Sequence, residues 1–278
     1  MLSLIDFILN IASLLLFLNW RAVRANTLPR AGGVSIVSTL KRAGPPVRRW
    51  LNLCGLAGLL FLRAGFYCAI GPAFHWDPKV PLGPTTVVFR SDFFGRMLLF
   101  SFTGFIVTMV IFYFWLLFLS CINSRLPDSD PQQKLIRLHL GWLERWPAFL
   151  KLILPCIGVM ALWYVCNPML EKMGMTPKAS GWHLIGQSAL VGLATCLSLK
   201  YLVIGFLLLH LLNSYVYLGE SLFWNFVNAT AAAIVRPLKP MPLRIGKIDL
   251  APVVAIVVIF VAAEFSRRGL TKLYVKFS

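Results

Sequence analysis

The sequence predicts an all-α polytopic membrane protein of about six transmembrane helices, in three helix–strap–helix units with interfacial amphipathic segments. Three observations carry this expectation. First, 58% of the 278 residues are hydrophobic and 13% are charged, whereas a soluble chain is about a quarter charged. Second, the mean hydropathy is +0.76, and the apolar residues gather into six segments, 2–20, 51–70, 97–122, 152–166, 185–218 and 250–265. Third, most of the 27 Lys and Arg stand in connectors beside those segments. A net charge of +17 and a pI near 10.1 would also fit a nucleic-acid binder. Cations flanking apolar spans instead set topology and attract anionic head groups, so the expected partner is lipid and no nucleic acid.

A hydrocarbon core about 30 Å thick takes roughly 20 helical residues, which four of the six segments supply comfortably. The segment 152–166 is short and needs its neighbours, over 148–170. The segment 185–218 is long enough to overshoot or to contain a break. Neither a positive n-region nor an A-x-A-like site flanks 2–20, so this segment is expected to stay as a membrane helix. Sixteen of the cations fall in the first, third and fifth connectors. The positive-inside rule then places both termini outside and the basic connectors in the cytoplasm. The tail, with Arg267, Arg268, Lys272 and Lys276, runs against this locally. Five spans, with one segment re-entrant or interfacial, would remove the conflict.

The three span pairs occupy residues 1–96, 97–183 and 184–278 of a single membrane domain. Their basic connectors share a plan of surface segment and proline-marked turn, an internal repeat of pattern rather than of residue identity. In the second basic connector Leu135, Leu138, His139, Trp142, Trp146, Phe149 and Leu150 recur at helical spacing. That stripe predicts an amphipathic helix lying in the interface and ending near Pro147 or Pro155. The third basic connector carries a weaker stripe of Leu222, Phe223, Phe226, Val227, Thr230 and Ile234. Outside, residues 85–89 read as a short strand or extended run. The six cysteines form no C-x-x-C pair, so neither zinc nor a disulfide framework is signalled. Gly55, Gly58, Gly65, Gly186 and Gly192 would let helices approach closely.

The last basic connector, 236–252, is the most distinctive stretch. Pro237, Pro240, Pro242 and Pro252 exclude a continuous helix, leaving an extended cationic strap with Arg236, Lys239, Arg244 and Lys247. Asp249 reads as the cap of the following helix, with Pro252 tolerable in its first turn. The run Arg236-Pro237, Pro240-Met241-Pro242, then Gly246-Lys247-Ile248-Asp249-Leu250-Ala251-Pro252 resembles the YggT (YlmG-type) membrane proteins. Their repeat is a span, a surface segment and a basic proline-marked strap ending in a Gly-Gly-Ile-Asp-x-Ser-Pro pattern. The resemblance covers about residues 184–268, with Lys247 in place of a glycine and Ala251 in place of the serine. It implies a small bacterial inner-membrane protein with an accessory role in membrane organisation and no catalytic chemistry.

Ionisable groups inside apolar segments are costly and default to a functional hypothesis. There are four, Asp6, Arg63, Lys200 and Glu264. A pairing of Arg63 with Asp6 would satisfy both in the first hairpin. Of four histidines, His210 alone lies within an apolar segment. It is the candidate for a haem or pigment ligand, and a helix–helix hydrogen bond is its blander use. No nucleophile–base pair, phosphate loop or metal cluster stands at recognisable spacing. The expectation is therefore a non-enzymatic structural or accessory membrane protein without a cofactor, held on anionic lipid and assembling with other membrane proteins or itself. The alternatives are a transporter or channel using Arg63 and Lys200, or a haem- or pigment-binding subunit using His210.

Overall fold

The computed structural model describes residues 2–25, 49–74, 76–124, 130–176, 181–216, 221–238, 244–245 and 248–277. The architecture is all-α, with two short antiparallel strand pairs. Among the described residues five helices are long and apolar enough to cross a bilayer, namely Leu4–Arg21, Trp50–Ile70, Phe94–Ile122, Ala148–Lys172 and Trp182–Tyr215. By helix length and hydropathy this is an integral membrane protein. In hydrocarbon every backbone N–H and C=O must be satisfied within the segment, which is why these apolar runs are helices. Contacts divide the chain into two compact units. One comprises residues 1–80 and 87–112, the other residues 81–86 and 113–278.

In the first unit α1 (Leu2–Ala25) packs on α2 (Arg49–Ile70). The chain then turns at Gly71, where an added Cβ would collide with Ser91. A hairpin follows, β1 (Lys79–Leu82) with β2 (Thr85–Val88). Gly83, at φ 74, begins the turn between them, a backbone region that glycine enters without strain. The helix α3 (Phe94–Ile122) begins in this unit and ends in the second. Within the same unit Tyr67, Trp76, Phe89 and Phe100 form an aromatic cluster, with ring centroids 4.9 to 6.3 Å apart.

In the second unit the amphipathic connector is shorter than its stripe predicts. The helix α4 (Pro131–Leu140) is capped by Asp130, whose side chain accepts from the Gln132 N–H, and it stops at Gly141 with φ 55. A 3-10 turn, Gly141–Arg145, follows. Glycine in that left-handed region ends the helix well before Pro147. The predicted face is present in part, because Leu135, Leu138, Trp142, Phe149 and Leu150 are exposed, whereas His139 turns inward with Gln133, Ile136 and Leu140. The helix α5 (Ala148–Lys172) runs through Pro155 and Pro168, so neither proline ends it.

The break in the long apolar segment is one of α-helical hydrogen bonding only, since the backbone stays in right-handed helical angles on both sides of it. The segment is divided into α6 (Trp182–Ala194), a 3-10 turn at Thr195–Ser198 and α7 (Leu199–Tyr215). Next come α8 (Leu222–Val235), capped by Ser221, and the pair β3 (Arg244–Ile245) and β4 (Ile248–Asp249). The last helix is α9 (Ala251–Phe277). The strands pair Arg244 with Asp249 and Ile245 with Ile248. The sixth expected span lies in α9 and departs from expectation. This helix is 27 residues long, about 40 Å at 1.5 Å per residue. It carries Glu264, Arg267 and Arg268 within its first 18 residues, so it is not among the helices apolar enough to cross.

α9 packs along α6 and α7, and α8 packs on α7. The core of this unit is Val203, Leu207, Ala231, Val235, Ala251 and Ala255, with Phe118 and Ile259 against it. The expected packing glycines divide. A Cβ on Gly58 or Gly65 would meet nothing, whereas one on Gly186 would press on the Phe277 ring. One on Gly192 would lie 2.6 Å from the Cys156 carbonyl oxygen and 3.1 Å from the Met160 Cβ. A backbone carbonyl cannot swing aside, so Gly192→Val is expected to lower stability by about 1–3 kcal/mol. Gly58→Val should leave it nearly unchanged. Thermal unfolding of both variants in mild detergent checks the contrast.

Candidate functional site

The expected charges inside the spans resolve into local constellations. In the first, Asp6 and Asn10 lie one turn apart on α1, facing Arg63 and Tyr67 one turn apart on α2. The Arg63 guanidinium donates from Nη1 to Asn10 Oδ1 at 2.7 Å and from Nη2 to Asp6 Oδ1 at 2.8 Å. The Tyr67 hydroxyl donates to the same Asp6 oxygen at 2.6 Å. Arg63 is 2% exposed, and its guanidinium carbon stands 5.0 Å from the centroid of the Phe100 ring. Gly104 of α3 makes room for it, since a Cβ there would sit 3.4 Å from Nη2. Nearby, Ser101 donates to the Leu60 carbonyl at 3.0 Å. An arginine in hydrocarbon requires a counter-charge, hydrogen-bond acceptors and polarisable rings around it, and this site supplies all three. Chemically, it is a closed ion pair that ties α1 to α2.

Glu264 is answered on its own helix. Its carboxylate accepts from Arg267 at 2.7 Å and from Arg268 at 3.0 Å, so the cations of the tail are partly neutralised where they stand. Lys200 opens α7 just after the 3-10 turn, with its ammonium 4.9 Å from the centroid of the Tyr201 ring. His210 Nδ1 is 2.9 Å from Asn228 Oδ1, and Asn213 reaches the same oxygen at 3.5 Å. This is a polar clasp between α7 and α8. Among the described residues no group of three or more His, Cys, Asp or Glu is placed to hold a metal ion.

Of the strap, Arg236 and Pro237 lie in a 3-10 turn, Arg236–Leu238, and Pro252 is buried in the first turn of α9. Lys239, Pro240, Pro242, Gly246 and Lys247 lie outside the described residues. The expected cap at Asp249 is corrected. Asp249 belongs to β4, and the helix starts at Ala251.

Two constellations escape sequence reasoning. Lys151 donates to Ser120 Oγ at 2.9 Å, and Ser120 donates to Glu144 at 2.7 Å. Glu144 also lies 3.7 Å from Lys151 and 3.5 Å from Arg137. A serine beside a lysine invites a nucleophile–base reading, but Ser120 is 1% exposed and the ammonium already faces a carboxylate. The cluster therefore locks the end of α3 to the start of α5. Asn123 donates to Thr230 Oγ1 at 2.9 Å, joining α3 to α8 in a buried contact. Residues 107 positions apart leave no spacing signal. Asn10 and Tyr67 did leave one, because each stands one turn from a charge already singled out.

Compared with known protein families, characterised proteins and solved structures, the chain matches none.

The Arg63 site makes a quantitative prediction. Arg63→Ala leaves the half-buried Asp6 carboxylate without its counter-charge and should cost about 3 kcal/mol. Adding Asp6→Leu should recover much of that loss, because no unpaired charge then remains between α1 and α2. Denaturant titration of both variants in detergent measures the coupling, and additive losses would contradict it.

Proposed function

We propose that this chain is a non-catalytic structural or accessory membrane protein of the YggT type, sitting on anionic lipid and assembling with other membrane proteins or with itself. The observation that carries this reading is the closure of the charges within the helices. Arg63 is tied to Asp6, Asn10 and Tyr67, and Glu264 to Arg267 and Arg268. Such pairs join helix to helix or quiet a helix face, and they leave those groups engaged rather than poised along a path. The open faces of the spans point the same way. In Leu4–Arg21 and in Ala148–Lys172 only 11% of the residues are buried within the chain, which leaves long apolar stripes for lipid or neighbouring helices. The exposed Trp142 and Phe149 of the amphipathic connector fit a bilayer interface. The basic proline-rich strap supplies the resemblance to the YggT proteins and a cationic contact for head groups.

Replacing Lys239, Arg244 and Lys247 together by glutamine is expected to lower retention of anionic phospholipid in native mass spectra by several-fold, with insertion unchanged. Equal retention would count against the strap as a lipid contact. Solute flux in proteoliposomes that disappears on Arg63→Ala would overturn the accessory reading in favour of transport.

A further inference from the structure

Two of the free cysteines face each other across a helix pair. Cys156 of α5 and Cys196, in the 3-10 turn between α6 and α7, have their sulfur atoms 3.3 Å apart. The neighbouring packing explains the approach. Gly192 stands one turn before Cys196, and its missing side chain lets α6 lie directly on the Cys156 carbonyl and on Met160. A disulfide needs sulfur atoms about 2.05 Å apart, so closure brings the two sulfurs together by roughly 1.3 Å. Access is open too, since Cys196 is exposed and Cys156 half-buried.

The depth of the pair narrows the oxidant. Cys156 is the ninth residue of the span Ala148–Lys172, and Cys196 the fifteenth of Trp182–Tyr215. Both lie more than two turns from either span end, where a charged aqueous disulfide does not reach. We propose that Cys156 and Cys196 form a dithiol–disulfide couple, oxidised by a membrane-soluble quinone, that reversibly bonds the fourth span to the fifth. Both S–H bonds break and one S–S bond forms. The two electrons and two protons pass to the quinone, which leaves as the hydroquinone. A dithiol reductant reverses the step by exchange through a mixed disulfide. The bond ties α5 to the turn at which the long helix breaks, so oxidation fixes the junction between α6 and α7.

The full chain in proteoliposomes is treated with decyl-ubiquinone or with glutathione disulfide, then alkylated with N-ethylmaleimide and mapped by mass spectrometry. The expected result with quinone is a Cys156–Cys196 linked peptide, both thiols protected, and full recovery of alkylation after dithiothreitol. Glutathione disulfide should leave both alkylatable. Cys156→Ser, a near-isosteric change, should leave Cys196 alkylatable after quinone treatment. Continued alkylation of both cysteines in the unaltered chain would overturn the couple, and so would linkage of Cys196 to any other cysteine. Equal oxidation by glutathione disulfide would overturn the lipid-phase oxidant.

Discussion

A guanidinium held inside hydrocarbon cannot be hydrated, so the protein must answer its charge and its donors. That constraint shapes the first unit around Arg63. The aspartate and asparagine that meet it must both lie on one face of α1, one turn apart, and the two helices must stay in register to within a fraction of a turn. Tyr67 doubles the contact by giving the same carboxylate oxygen a second donor. The rings of Tyr67 and Phe100, together with the glycine at 104, complete the enclosure. Buried ion pairs add little net stability against an apolar alternative, but losing one partner is severe. Their use here is to specify which faces of α1 and α2 meet, something that two uniformly apolar helices do poorly.

The second unit meets the same requirement by different means. Its apolar core relies on small residues, with Ala231, Ala251 and Ala255 letting α8 and α9 come close to α7. Polar contacts then fix the register between helices. Ser120 and Lys151 join α3 to α5, Asn123 and Thr230 join α3 to α8, and His210 and Asn228 join α7 to α8. Hydrogen bonds between helices in a bilayer average well under 1 kcal/mol each. Several of them, spread along one unit, favour one arrangement over its neighbours by more than any single bond. Gly186 and Gly192 act similarly through shape, since each fits one partner at one height along the helix.

Much of this was legible in the sequence where the signal is local. Hydropathy and length give the spans to within a few residues, because the bilayer acts on each helix separately. The Asp6–Arg63 pair was legible because costly charges leave few choices of partner within one hairpin. The end of α4 was misread because a periodic stripe says nothing about the backbone angle at Gly141. The helix α9 was misjudged for a related reason. The apolar segment 250–265 looks complete on its own, while the helix continues for twelve more residues and brings Arg267 and Arg268 onto Glu264. The contacts of Ser120 with Lys151 and of Asn123 with Thr230 had no sequence signature, since they depend on the tertiary path.

The break at Thr195–Ser198 gathers several of these threads. Trp115 of α3 donates its indole N–H to the Ser198 carbonyl at 3.2 Å, so a neighbouring helix takes up an acceptor at the turn. A 3-10 stretch inside a long helix leaves its backbone acceptors less well satisfied, and side chains from packed helices make good the difference. Cys196 sits in that turn and Lys200 follows it, which places the free thiol and the cation of this helix where its geometry is least regular. The break is thus a supported feature. On one side of it α6 lies on α5 through Gly192, and on the other α7 packs with α8 and α9 through Leu207.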